Sequence, residues 1–382
     1  MNPVYLDYNA TTPLDETVRA AMEPYHTRIW GNPSSVHQIG REARALLDDC
    51  RDRLAQVFHC KPSEIVFTSG GTEANNLAIL GTARLMREKG RHLITSTIEH
   101  HAVLHSFDYL ERYEGFEVTR LPVDAAGRVN PDDLASAIRE DSVLVSVMGA
   151  NNETGTIQPV SELGVLCQEH GILFHTDSVQ WFGKLPFSGI SCFNADLVPI
   201  CPHKFHGPRG VGALYIKSPL QPHPILFGGA HENERRAGTE NLAAIAGLVT
   251  AVEKFVPEPV FPAGILENHR KRLLEAITRI DGATFRGSTT DYLPNTVSFT
   301  VTECDSIALM AVLDMENICA SSGSACSAGS LEPSHVMKAM GVNDAESNAL
   351  VRFSAGRETT EADIGYVVSV LPSVIDRLRT SG

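Results

Sequence analysis

The residues of this chain best suited to chemistry fall in four short stretches. The first, FTSGGTEANN at 67–76, runs an apolar segment into paired glycines and then a helix-like sequence whose first turn offers Thr72, Glu73 and Asn75. Glycines let backbone N–H groups approach an anion closely, and a helix N-terminus adds partial positive charge, so Gly71 and Thr72 form a candidate anion seat. A Thr-capped helix after a glycine turn explains the same residues without a ligand. The stretch lacks the GK[ST] of a nucleotide P-loop and the third glycine of a dinucleotide fingerprint. The second, HTDSVQ at 175–180, ends an apolar strand on Asp177. Ligands of open α/β sheets sit beyond the carboxyl ends of strands, and a carboxylate held there needs a cationic or N–H partner. The commoner role for such an Asp is to cap the next helix.

The third stretch, CPHKFHGPRGVGALY at 201–215, sets Lys204 between His203 and His206, ahead of Gly207 and Pro208. The loop cannot continue a helix. Cationic or partly desolvated surroundings lower a lysine's pKa and make it nucleophilic toward an aldehyde, although a lysine in a surface turn is the commoner case. The two His lack a third ligand at metal spacing, so no permanent metal site is expected. An anion seat, a strand-end carboxylate and a lysine, in that order, are what pyridoxal phosphate requires: a phosphate cradle, an acid for the pyridinium nitrogen and an amine for the aldehyde. The fourth stretch, ASSGSACSAGSLEPSHV at 320–336, is rich in Ser, Gly and Ala and carries Cys326 as its one thiol. Such a stretch buries little, which leaves the thiol accessible and tunable toward the thiolate. The alternative is an unreactive surface Cys, a liability that proteins usually avoid.

Elements that could position these groups are visible along the chain. Helical spacing is expected over 15–25, 40–58, about 72–87, 100–112 and 159–169, with strands at 64–69, 92–97, 142–150, 172–177 and 195–200. The alternation predicts an α/β fold with a largely parallel sheet covered by helices on both faces. With 382 residues, two domains are expected, and the proline-rich VPEPVFPAG near 255–263 marks a linker. The formal charge of -14 argues against nucleic acid as a primary ligand. No apolar run reaches the roughly 20 residues of a membrane span. The opening MNPVYLDYNATTP has neither a basic start nor an apolar core, so no secretory signal is expected and the cytoplasm is the expected location. The 8 cysteines show no CxxC pair or framework spacing; most are expected to be buried thiols.

These motifs, with YLDYNATT (5–12), GNPSSVH (31–37), IEHHAV (98–103), NNETG (151–155), RRAGTEN (235–241) and VRFSAGR (351–357), resemble the cysteine desulfurases of fold type I, the nitrogen-fixation and iron–sulfur-assembly group, over essentially the whole chain. The resemblance implies a homodimeric pyridoxal-phosphate enzyme that converts L-cysteine to L-alanine. Lys204 would carry the cofactor, His100 stack on its ring and serve in proton transfer, and Asp177 pair with the ring nitrogen. Gln180 and Asn152 would meet the phenolic oxygen side, and Gly71, Thr72 and His203 the phosphate, with Thr239 reaching it from the other subunit. Arg352, helped by Asn152, would clamp the substrate carboxylate. Cys326 would take the sulfur as a persulfide for an acceptor such as an iron–sulfur scaffold, and could ligate iron transiently during transfer. The family division is a large domain at 14–255 and a smaller one from 1–13 and 256–382. This chain departs from the commonest pattern at Cys201, where Ser is usual and a thiol is a weaker phosphate donor. It departs again at Pro202, which removes an N–H and biases Cys201 toward extended geometry. A selenocysteine lyase would use the same pocket, and a non-catalytic scaffold of the same fold is the reading from a different class.

Overall fold

The computed structural model describes residues 3–323 and 333–380. Its strands are β1 (Val4–Tyr5), β2 (Ile65–Thr68), β3 (His92–Ser96), β4 (Glu117–Leu121), β5 (Ser142–Ser146), β6 (Leu173–His175), β7 (Leu197–Ile200), β8 (Gly212–Ile216), β9 (Ala283–Phe285), β10 (Thr296–Val301), β11 (Ile318–Cys319) and β12 (Leu350–Ser354). Its helices are α1 (Glu16–Thr27), α2 (Gln38–Phe58), α3 (Gly71–Met86), α4 (His101–Glu114), α5 (Pro131–Ala137), α6 (Val160–Glu169), α7 (Leu242–Phe255), α8 (Ala263–Ile277), α9 (Ser306–Met315), α10 (His335–Ala339), α11 (Asp344–Ser347) and α12 (Glu361–Thr380).

The central sheet runs β2-β8-β7-β6-β5-β3-β4. Strands β4, β3, β5, β6 and β7 are parallel, while β8 lies antiparallel between β7 and β2. The expected parallel sheet is therefore present, with one reversed strand that the sequence pattern left unassigned. Apart from the edge strand β4, its strands are largely buried because helices cover both faces. Alternate residues serve two cores: Ile65, Ile94, Val145, Phe174 and Val198 pack on one side with α2 and α7. Val66, Leu93, Leu144, Leu197 and Leu214 pack on the other with α3 and α4. The helix starts follow local chemistry. Asp15 caps α1 by accepting from Thr17 N at 2.9 Å, and His100 caps α4 by accepting from Ala102 N at 3.1 Å.

A second, antiparallel sheet has the order β12-β10-β9, and the chain's beginning joins it: β1 pairs with β11, and Asp7 bridges to Ser354. The N-terminal segment thereby passes between the two sheets on its way to α1.

Gly70 and Gly212 shape the turn after β2. Gly70 has φ 156° and ψ -177°, a combination open in practice only to glycine. A Cβ on Gly212 would stand 2.8 Å from Gly70 Cα and 2.9 Å from Ile200 O. We expect Gly212→Ala to push the turn away from β8 and to lower stability by about 1–3 kcal/mol, the usual cost of overpacking. Denaturant titration checks this; an unchanged midpoint would contradict the close-approach argument.

Candidate active site

The turns that follow β2, β3, β5, β6 and β7 open on one side of the sheet, and their side chains surround one pocket. Gly71, Thr72, His100, Asn152, Asp177, Gln180, Cys201, His203, Lys204 and Arg352 line it, joined by Asn9 and Asn75. Every expected site residue among the described ones is there except Thr239, which is exposed and outside this chain's pocket. Cys326 lies outside the described residues.

Asp177 is 3% exposed. Its Oδ2 accepts from Asn75 Nδ2 at 2.7 Å and its Oδ1 from Val179 N at 3.2 Å. The Val179 contact closes a turn and is not the helix cap weighed for this residue, since no helix starts here; the Asn75 contact ties the carboxylate to the pocket wall. Among the described residues no Lys, Arg or His forms an ion pair with it, so a protonated ring nitrogen suits the site's charge balance. Lys204 Nζ donates to the carbonyl oxygens of Asn9 (2.8 Å) and Ala10 (2.9 Å).

The anion seat is formed by the start of α3, with Cys201 beside it. A Cβ on Gly71 would fill the space, 3.5 Å from Cys201 Cβ and 3.7 Å from its Sγ. Cys201 is extended (φ -137°, ψ 100°), as the following proline dictates, and Pro202 opens a single helical turn through Lys204. Burial, with Lys204 and Arg209 beside it, pushes His203 down to about 4, so its ring is neutral and can donate one N–H to an anion. Glu73 fixes the seat from outside by accepting from Ser69 N at 2.9 Å and Arg236 Nε at 2.7 Å.

Arg352 is 1% exposed. Its Nη2 pairs with Asp7 at 2.6 Å and its Nη1 donates to Asn152 O at 2.9 Å, while its buried Nε has no partner among the described residues. An oriented guanidinium with a donor to spare is suited to a carboxylate. His100 accepts from Ala102 N through Nδ1, so the neutral ring carries its proton on Nε2.

Sequence reasoning did not pick out Asn9, Lys184 or Glu99. Asn9 reaches the pocket from the chain's first residues, a contact that spacing cannot reveal. Glu99 precedes His100, and burial pushes its carboxyl up to about 8 against the hydrogen bonds from Ser96 Oγ (2.5 Å) and Met148 N (2.9 Å). Burial also keeps the Cys50, Cys60 and Cys167 thiols protonated, at about 11, 12 and 12.

The fold and this constellation define a pyridoxal-phosphate enzyme of fold type I. The sequence profile of the class-V aminotransferases matches residues 4–367, and the chain belongs to that family. Among its relatives, "Cysteine desulfurase IscS" of Dictyoglomus turgidum is 45% identical over 378 residues, covering 99% of this chain and 95% of that one. The protein of the same name from Methanosarcina thermophila is 45% identical, covering 98% and 93%. The solved structure "NifS-like protein" superposes with a TM-score of 0.90 at 34% identity, covering 98% and 100%. "SspA in complex with cysteine" gives 0.80 at 35%, covering 93% and 99%.

Glu99 allows a pH test. The folded chain binds its proton more tightly than the unfolded chain does, so this group's stabilisation is full below about 4.5 and is lost as pH rises through about 8. Glu99→Gln keeps an oxygen for Ser96 and Met148 and removes the titration. We expect the variant's melting temperature, relative to wild type, to rise between pH 5 and pH 8; a difference independent of pH would contradict the assignment.

Proposed function

We propose that this chain is a cysteine desulfurase that releases L-alanine from L-cysteine and holds the sulfur as a persulfide on Cys326 for an acceptor protein such as an iron–sulfur scaffold. One observation carries the reading: a lysine, a carboxylate with no basic partner among the described residues and a buried arginine with a spare donor converge on one pocket. The 45% identity to proteins named cysteine desulfurase supports it.

Pyridoxal phosphate, when bound, supplies an electron sink for the substrate carbon that bears the amino group. Lys204 would hold it, Asp177 keep a proton on its ring nitrogen, and Gly71, Thr72, His203 and Cys201 surround its phosphate. Gln180 and Asn152 would face its phenolic oxygen. Arg352, already oriented by Asp7 and Asn152 O, receives the substrate carboxylate. His100 would stack on the ring and serve in proton transfer. The Cys326 thiolate attacks the substrate sulfur. The substrate C–S bond breaks, an S–S bond forms, and the carbon takes up a proton, so cysteine and one thiol become alanine and one persulfide with no outside oxidant.

Exposed Trp30 (70%), Val36 (87%) and Phe227 (81%) fit a homodimer, in which Thr239 would serve the partner's pocket. We assign residues 14–255 to a large cofactor domain and 1–13 with 256–382 to a smaller one, and place the protein in the cytoplasm. No helix of the described residues is long and apolar enough to cross a membrane.

The test is alanine release from L-cysteine, with mass spectrometry of the Cys326 peptide. Wild type should be yellow, release alanine and carry one added sulfur on Cys326. Cys326→Ala should stay yellow, lose the persulfide and slow alanine release by at least about a hundredfold, the scale on which single catalytic groups act. A colourless wild-type protein, or full turnover by Cys326→Ala, would refute the reading.

A further inference from the structure

Behind the pocket wall stands a second lysine that the proposed chemistry does not use. Lys184 is 1% exposed. Its Nζ donates to Asn9 Oδ1 at 2.7 Å and to Gln180 Oε1, with the Phe261 ring centroid 5.3 Å away. Among the described residues no carboxylate pairs with it. Burial, with the like charges of Lys204 and Arg352 nearby, holds its amine well below the ordinary lysine range. A buried amine without a counter-ion is costly, and an apolar chain would fill the space at lower cost. What the amine adds is direction.

Gln180 sits one turn before Lys184, and its carboxamide has two ways round. As observed, Oε1 accepts from Lys184 and Nε2 donates to the Asn9 carbonyl oxygen at 3.0 Å. The reverse would set the amide NH2 against the amine and oxygen against oxygen at Asn9. A neutral amine can accept one bond, yet the clash at Asn9 O would remain. Asn9 is held in the same manner, with Oδ1 accepting from Lys184 and from Asn295 Nδ2 (3.1 Å) and Nδ2 donating to Asn152 O (3.1 Å). Both amides line the pocket. Of the two Gln180 N–H groups, one goes to Asn9 O, and the second is available to the pocket.

We propose that Lys184 is a positioning residue: it locks the Gln180 carboxamide so that an N–H, and not the C=O, meets the phenolic oxygen of the bound cofactor. The inference builds on the pyridoxal-phosphate reading. An anionic ring oxygen is stabilised by a donor and repelled by a carbonyl, so the amide's sense affects both cofactor retention and the cofactor's absorption.

The experiment compares purified holoenzymes of wild type, Lys184→Met, Gln180→Ala, the double variant and Gln180→Glu. The readouts are the cofactor's visible absorption maximum and its rate of loss on dilution, with melting of the cofactor-free proteins as a folding control. Lys184→Met and Gln180→Ala should shift the absorption maximum alike and release the cofactor about tenfold faster, the scale of second-layer partners of a bound group. The double variant should match Gln180→Ala, since both remove one interaction. Gln180→Glu keeps an oxygen for Lys184 and presents an oxygen to the pocket, so it should lose retention equally, even if Lys184→Met fails to fold. A wild-type spectrum and retention in Lys184→Met or Gln180→Glu, or effects that multiply in the double variant, would overturn the inference. A wild type that binds no cofactor would instead sink the underlying reading.

Discussion

Asn9 is the residue on which the assembly of this site depends. Its N–H donates to Ser354 Oγ at 3.0 Å, and its carbonyl oxygen accepts from Lys204 Nζ and Gln180 Nε2. Its side chain adds Lys184, Asn295, Asn152 and Thr296. One buried residue thus joins the end of β12, the strand β10, the turn after β6, the loop after β7 and the turn after β5. Polar groups so deep in a protein are stable only when satisfied, and here each satisfied group sets the direction of a pocket residue.

Charge in the pocket follows from this arrangement. Lys204 and Arg352 bring two basic groups to the pocket, with Asp177 and Asp7 the nearby acids, while burial raises the Glu99 carboxyl to about 8. The pocket is biased toward anions, although the chain as a whole carries -14. Global charge says nothing of this local reversal. The phosphate and carboxylate that the proposed reaction requires are anions of that sort.

Much of the fold was legible because its signals are local. The alternation of apolar strands and amphipathic helices predicts the layered sheet, and α2 (Gln38–Phe58) falls within two residues of its expected span. The reversed β8 was not legible, since an all-apolar strand reads the same in either direction. Of the site, the loops at 67–76, 175–180 and 201–215 announce themselves through glycines, prolines and a strand-end Asp. Arg352 emerged only through resemblance, because an arginine inside the apolar strand β12 carries no local mark of function. Asn9 and Lys184 acquire meaning only from contacts 175 residues apart, which no spacing rule reaches.

The pairing of the chain's first strand with its later ones has a further bearing on how the protein comes into being. Asn9 and Ser354 are 345 residues apart, and β1 has no partner until β11 exists. During synthesis the central sheet can form while the N-terminal segment stays unpaired, exposing Leu6 and Tyr8, which are buried in the finished chain. The segment whose carbonyl oxygens receive Lys204 gains its last anchors, on Ser354 and its neighbours, when β12 has emerged. A chain truncated before β12, however complete its cofactor loops, thus keeps the residues that receive its lysine but lacks the strand that pairs with them.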